Sequence, residues 1–375
     1  MKKIKIAHVL HSVGGVDVSL RLILQHIDTH RFESIVIHGS HDTNEAFIDK
    51  VGQPVKSYQT GIVRSVSPIK DFLTLMRVLR ILNREKPDVI HAHSAKGGII
   101  GRMAGWLLGI PVAYTPQAFS YLSAESPRLK KIYLAIERMF AKGNSVLLAS
   151  SESERQRGIS EVGFKPERAL LFNNGVAPIG RLPMLSIPKT WPDEYICTVG
   201  RPSFQKNIEL MIDVLKEIKK TEDIHLVIMG VGHHSDKLQE VEKRIERYGL
   251  QDSVTLLAWT QRTDIFHIIS HSKLYISTAR YEGLPYSIIE SLALGIPAVV
   301  SDCDGNRDLI TDKVNGFVIK DGDPTTYSRQ IQEILRDPVL HSTMSDNAKI
   351  IFEKQFNIVT RIVDLEEIYI NVASS

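Results

Sequence analysis

The sequence predicts an α/β protein of two doubly wound domains, each a parallel sheet covered by helices. Three observations carry that prediction. Short apolar runs alternate with longer amphipathic ones along the chain, the pattern of strands joined by crossover helices. The cycle runs once, breaks at a proline-bearing stretch, and runs again. The 375 residues exceed what one compact core ordinarily holds.

In the first half the strand-like runs are IKIAHVL, ESIVIHG, DVIHAH, PVAYTP and SVLLAS. Between them lie helical patterns such as VSLRLILQHID, IKDFLTLMRVLRILNREK and KGGIIGRMAGWLLG. The strands are almost continuously apolar, which indicates burial on both faces. GVAPIGRLPMLSIPKTW follows, with Pro178, Pro183 and Pro188 and no periodicity. We read 178–191 as a linker between a domain over 1–177 and a second over 192–356. The second cycle holds EYICTVG, IHLVIMG, SVTLLA, SKLYIS and PAVVS. A helical pattern over 357–373 is expected to pack back on the first domain. Ligands of such sheets bind beyond the carboxyl ends of the strands, so an inter-domain cleft is the expected site.

The bulk numbers narrow the class. The chain is 43% hydrophobic and 24% charged, as in soluble globular proteins. No stretch reaches the roughly 20 apolar residues of a membrane span. The opening MKKIKIAHVLHSVGG has too short an apolar run for a signal peptide and carries His8 and His11, so it reads as a first strand. Cys197 and Cys303 make neither a disulfide framework nor a metal spacing, which fits a reducing, cytoplasmic compartment. Net charge is +3, but residues 1–180 carry 24 Lys and Arg against 15 Asp and Glu. That +9 surplus suits anionic lipid or phosphate, or equally a scattered solvated surface. A nucleic-acid partner would need a basic stripe with stacking aromatics, which the sequence lacks.

Three strand-to-helix junctions stand out. Gly14-Gly15-Val16-Asp17 follows the first strand, where two glycines would let an anion approach the helix start. A tight turn capped by Asp17 explains the same residues. Gly200-Arg201-Pro202-Ser203-Phe204-Gln205-Lys206-Asn207 occupies the same place in the second cycle. Cations beside a positive helix end need another reason to be there, and a bound diphosphate is favoured over solvated surface charge. The third junction holds Glu282 and Glu290 around Gly283-Leu284-Pro285. Carboxylates there could hold sugar or ribose hydroxyls, serve the helix dipole, or lie exposed. Spacing alone does not choose.

The combination resembles the retaining glycosyltransferases of family 4, which have the GT-B fold of two Rossmann-like domains. Glu282 to Glu290 matches their E-x7-E motif, within YEGLPYSIIESLALGIPAVVSD. TVGRPSFQKN resembles their phosphate loop, and PDVIHAHSAKGG, NNGV and GGVD fall where the family has counterparts. The likeness covers essentially the whole chain and is greatest to the enzymes of bacterial capsule, exopolysaccharide and lipopolysaccharide synthesis.

The resemblance implies roles. Arg201 and Lys206 would bind and stabilise the leaving diphosphate beside Gly200, Glu290 would bind ribose, and Glu282 with Gly283 and Leu284 would hold the donor sugar. Gly15 would lie against the donor phosphates, and the base would rest near Met229-Gly230 and Leu257–Trp259. Arg201, Lys206 and Glu282 would thus carry the catalysis, with His93 and Gln117 on the acceptor side. The implied reaction moves a hexose or N-acetylhexosamine from a UDP-sugar to a lipid-linked glycan. It proceeds with retention and without a metal or other cofactor, at the anionic inner face of the cytoplasmic membrane. The chain departs from the family pattern at Gln117, where a histidine is usual, and at Asp304 and Asp308.

Other signals in the sequence carry less. Asp302-Cys303-Asp304 spells D-x-D, a metal pattern, but reads better as a turn. His91 and His93 point the same way on a strand, yet no third metal ligand is visible in the sequence. His233 and His234 read as a surface loop. The basic amphipathic pattern over 127–143 suits a membrane surface or an ordinary packed helix. The alternatives to a transferase are a nucleotide-sugar epimerase of the same fold and a catalytically silent nucleotide-sugar-binding protein.

Overall fold

The computed structural model describes residues 2–374 except 41, 44, 64–66, 125, 233 and 234. The expectation for His233 and His234 therefore lies outside the described residues. The chain forms two compact units, Met1–Ala177 with Ile358–Ser375, and Pro178–Asn357.

The first unit runs β1 (Ile4–Val9), α1 (Gly15–His26), β2 (Phe32–Gly39), β3 (Lys56–Thr60), α2 (Pro68–Glu85), β4 (Val89–His93), α3 (Ser94–Leu108), β5 (Val112–Thr115), α4 (Pro127–Ala141), β6 (Ser145–Ala149), α5 (Glu152–Arg157) and β7 (Ala169–Leu171). The sheet is parallel in the order β3-β2-β1-β4-β5-β6-β7. Strand order reverses direction between β1 and β4, the switch point where ligands of such sheets bind. Ile6, Ala7, Val9, Ile90 and Ala92 have no exposed surface, as helices on both faces demand.

The second unit runs β8 (Tyr195–Val199), α6 (Ile208–Ile218), β9 (His225–Met229), α7 (Leu238–Arg247), β10 (Val254–Leu257), α8 (Arg262–Ser270), β11 (Tyr275–Ser277), α9 (Tyr286–Ala293), β12 (Ala298–Ser301), α10 (Asn306–Leu309), β13 (Gly316–Ile319), α11 (Pro324–Arg336) and α12 (Pro338–Gln355). Its parallel order is β10-β9-β8-β11-β12-β13. No regular element lies between β7 and β8 among the described residues.

The last helix, α13 (Ile358–Ala373), belongs to the first unit. Glu366 accepts from Asp28 N at 2.8 Å and Arg31 Nη1 at 3.1 Å. Tyr369 Oη shares a hydrogen bond with His91 Nδ1 at 2.7 Å. Three strands were not anticipated from the sequence: β3, β7 and β13. All three are sheet edges; β3, KSYQT, is mostly exposed, and β7 and β13 run for only three and four residues.

Candidate functional site

The site in the second unit is built where β8 and β11 end. β8 leads into Gly200, whose N–H bonds Met229 O at 2.9 Å. The loop then turns through Asn207, which takes left-handed backbone at φ 51° and opens α6. Thr278, just after β11, donates to the carbonyls of Lys206 and Asn207 at 3.2 and 2.9 Å. Arg280 N bonds Gln205 O at 2.8 Å. The two junctions are therefore sewn together by backbone.

This stitching brings the predicted residues into contact. The stem of Lys206 lies over Gly200, and its Nζ reaches Glu282 Oε1 at 2.8 Å. Gln205 Nε2 donates to the other oxygen, Oε2, at 3.1 Å. Burial works to lower the Lys206 ammonium, but the Glu282 carboxylate prevails and holds it above its usual value. The result is a fixed, fully charged cation beside a helix start, and Arg201 lies half-buried on the same loop. Glu282 itself is 7% exposed.

Glu290 lies one turn into α9 and is 6% exposed. Its partner is Arg262 Nη2 at 2.6 Å, from the first residue of α8. Burial raises the Glu290 carboxyl, and Arg262 offsets only part of that. Gly283 and Leu284 bridge the two acids, with Tyr275 Oη donating to Ser287 at 2.8 Å beneath them. Gly305 packs on this bridge at φ 79°, and a Cβ there would stand 2.5 Å from Gly283 O. Only glycine fits that approach. Around the predicted base position, Gly230 N and Val231 N both donate to Leu257 O, at 3.1 and 2.9 Å. Trp259 is exposed.

Asp302 and Asp304 share one partner. Arg307 reaches them at 2.7 and 2.5 Å, while Asp308 accepts from Gly305 N at 2.9 Å. The D-x-D acids thus form an ion-paired turn.

In the first unit, Gly15 is the first residue of α1, after Gly14 at φ 62°. Gln117 and Ala118 both have left-handed backbone, at φ 52° and 78°. The Gln117 Nε2 is covered and has no hydrogen-bond partner among the described residues. His93 differs from its expected acceptor role. It is wholly buried, with its Nε2 3.1 Å from His8 Nδ1, so a glycan has no access to it. The third member absent from the sequence pattern is His8: His8, His91 and His93 bring ligand atoms within 4.8 Å of one another. Burial lowers the pKa of all three, His8 to about 3. These are neutral rings: His8 and His93 bond each other, and His91 bonds Tyr369 and Thr115. Among the described residues no carboxylate joins them to offset a dication. They tie β1, β4 and β5 to α13.

Arg262 and Gln205 were missed in the sequence. Arg262 carried a signal: a cation at a helix start, where the dipole disfavours it, the same argument that singled out Lys206.

Two family models match: a glycosyl transferase 4-like domain over residues 14–175 and glycosyl transferases group 1 over residues 187–350. The chain belongs to glycosyltransferase family 4. The glycosyltransferase is 29% identical to the Escherichia coli UDP-Gal:alpha-D-GlcNAc-diphosphoundecaprenol alpha-1,3-galactosyltransferase, over 99% of this chain and 97% of that one. Its fold is that of sucrose-phosphate synthase from Thermosynechococcus elongatus, with a TM-score of 0.83, 17% identity and 100% of both chains covered. The Anabaena HepE protein, solved in complex with UDP and glucose, has a TM-score of 0.78 and 20% identity, with 97% of this chain and 98% of that one covered. The GT-B fold is thereby established.

Proposed function

We propose that the glycosyltransferase moves a hexose or N-acetylhexosamine from a UDP-sugar to a lipid-linked glycan in surface-polysaccharide synthesis, retaining the anomeric configuration and using no metal. The observation that carries the donor half is the Lys206–Glu282 pair, clamped by Gln205 at the start of α6. A charged ammonium beside a helix N-terminus forms an anion site that needs no added cation. In this reading Lys206 and Arg201 neutralise the departing diphosphate beside Gly200. Glu282 and the Gly283-Leu284 backbone hold the sugar, and Glu290 takes the ribose hydroxyls. Gln117 serves the acceptor.

The acceptor hydroxyl bonds to the anomeric carbon as the bond to phosphate breaks. The electron pair leaves on the diphosphate, which also takes the hydroxyl proton. The positive groups act where charge develops, the largest source of rate in such sites. The E. coli relative is named for a UDP-sugar donor and a diphosphoundecaprenol-linked acceptor, and HepE was solved with UDP and glucose; both support these classes.

No helix among the described residues is long and apolar enough to cross a membrane. Ile69, Phe72 and Leu73 of α2 and Trp106 of α3 are exposed, with Lys70, Arg77 and Arg80 on α2 among them. That mixture supports docking on an anionic inner-membrane surface. The decisive assay offers a panel of nucleotide sugars and a lipid-diphosphate-linked N-acetylglucosamine, and reads the anomeric configuration of the product by NMR. Transfer from a UDP-sugar with retention is expected. Binding of UDP-sugars without transfer to any acceptor would overturn the proposal.

A further inference from the structure

At the carboxyl end of β1 the chain reads His11-Ser12-Val13-Gly14-Gly15, and the loop after β2 brings Asp42 against it. The Asp42 side chain is 1% exposed. One oxygen accepts Ser12 N at 2.5 Å and Gly39 N at 2.9 Å. The other faces His11 Nδ1 at 2.7 Å. Burial alone would raise this carboxyl, but the bonds from His11, Ser12 and Gly39 prevail and hold it below the usual carboxylate range. Gly39 is required for the approach, since a Cβ there would strike Asp42 Oδ1 and Ile62 O.

An ionised carboxylate only accepts hydrogen bonds. His11 Nδ1 therefore carries the proton, and in the neutral ring Nε2 is left with a lone pair. Nε2 lies on the side of the ring away from Asp42. It has no hydrogen-bond partner among the described residues, and the ring is 26% exposed. A group with a hydrogen to give fits this nitrogen. To the neutral ring a phosphate, which offers only acceptor oxygens, is no partner. Two strands along the sheet, Gln117 follows the carboxyl end of β5 with the opposite need, an amide N–H group without a partner among the described residues. Adjacent strands are about 4.8 Å apart, so β1 and β5 stand about 10 Å apart. That is a span of one or two sugar rings, with an acceptor at one end and a donor at the other. Left-handed backbone at Gln117 and Ala118, costly for non-glycine residues, is the kind of strain that gathers at binding sites.

We propose that His11, locked in one tautomer by Asp42, binds the acceptor glycan by taking a hydrogen bond from one of its hydroxyls. This rests on the transferase reading above. Asp42 acts through His11 as a positioning residue.

The test uses the full chain, a UDP-sugar, and a synthetic short-chain alkyl diphosphate carrying N-acetylglucosamine. His11→Ala is expected to raise the acceptor KM about five- to tenfold, the worth of one hydrogen bond, with the UDP-induced thermal shift unchanged. His11→Gln restores an acceptor atom and is expected to recover part of the loss. Asp42→Asn is expected to raise the acceptor KM without a further rise when combined with His11→Ala. In the wild type, the ¹⁵N spectrum should show His11 protonated at Nδ1, with the Nε2 signal moving when the acceptor sugar is added without donor. Wild-type acceptor KM in His11→Ala, or an Nε2 signal indifferent to the sugar, overturns the proposal. So does a loss of UDP binding in step with acceptor binding, which marks a general structural defect. Failure of the transferase reading is seen separately, as absence of a UDP shift in the wild type.

Discussion

Arg262→Met removes the cation facing the buried Glu290 carboxylate while keeping most of the side-chain bulk. The groups are in direct contact, 2.6 Å from Nη2 to Oε1. With charge centres about 4 Å apart and an effective dielectric of about 20, such a pair is worth about 4 kcal/mol. Arg262 is 36% open to water, so screening leaves roughly half of this, about 2 kcal/mol, to be lost. For a unit of this size the Tm should fall by about 4–8 °C. The loss has a pH signature. Burial already holds the Glu290 carboxyl above its usual value, so the folded state keeps a proton that the unfolded chain releases. Stability from this group is therefore full at low pH and falls as pH rises from the unfolded value, about 4.3, through the folded one. Removing Arg262 raises the folded value further. The deficit of the variant relative to wild type should be largest near neutrality and shrink toward about pH 4. Urea denaturation of both proteins at several pH values measures it. A deficit of the same size at every pH would refute the argument.

Three further outcomes are expected. Gly305→Ala puts a Cβ 2.5 Å from Gly283 O on left-handed backbone, so transfer should fall at least about tenfold through displacement of the sugar-holding bridge; a wild-type rate would refute this. EDTA should leave the rate unchanged, because Arg307 takes both Asp302 and Asp304; a loss restored by Mg²⁺ or Mn²⁺ would return those acids to metal ligation. Tyr369→Phe should cost about 1 kcal/mol in urea denaturation by leaving His91 Nδ1 without its partner, and an unchanged midpoint would contradict the tie between α13 and the first sheet.

Central strands were legible because burial on both faces writes itself as a continuous apolar run. The edge strands β3, β7 and β13 escaped because one side faces water or the segment is only three or four residues long. The site followed the same division. Gly200, Lys206 and Glu282 could be found because each marks a strand-to-helix junction in its own local sequence. Their pairing could not, because Lys206 and Glu282 meet only when β8 and β11 lie side by side. The same holds for Arg262 with Glu290, for His8 with His93, and for Asp42 with His11: each joins residues 28 or more apart. His93 was misjudged for the opposite reason. Its place at a strand end suggested access, while the helix that buries its cluster, α13, comes from the far end of the chain.

The central claim is that the Lys206 cation forms the heart of the donor diphosphate site. The most direct measurement is the thermal shift of wild type and Lys206→Ala across a range of UDP-sugar concentrations. The wild type should gain about 2.7 kcal/mol of stability at a donor concentration one hundred times Kd, while the folded variant at the same concentration should show almost none. Equal shifts in the two proteins would contradict the claim.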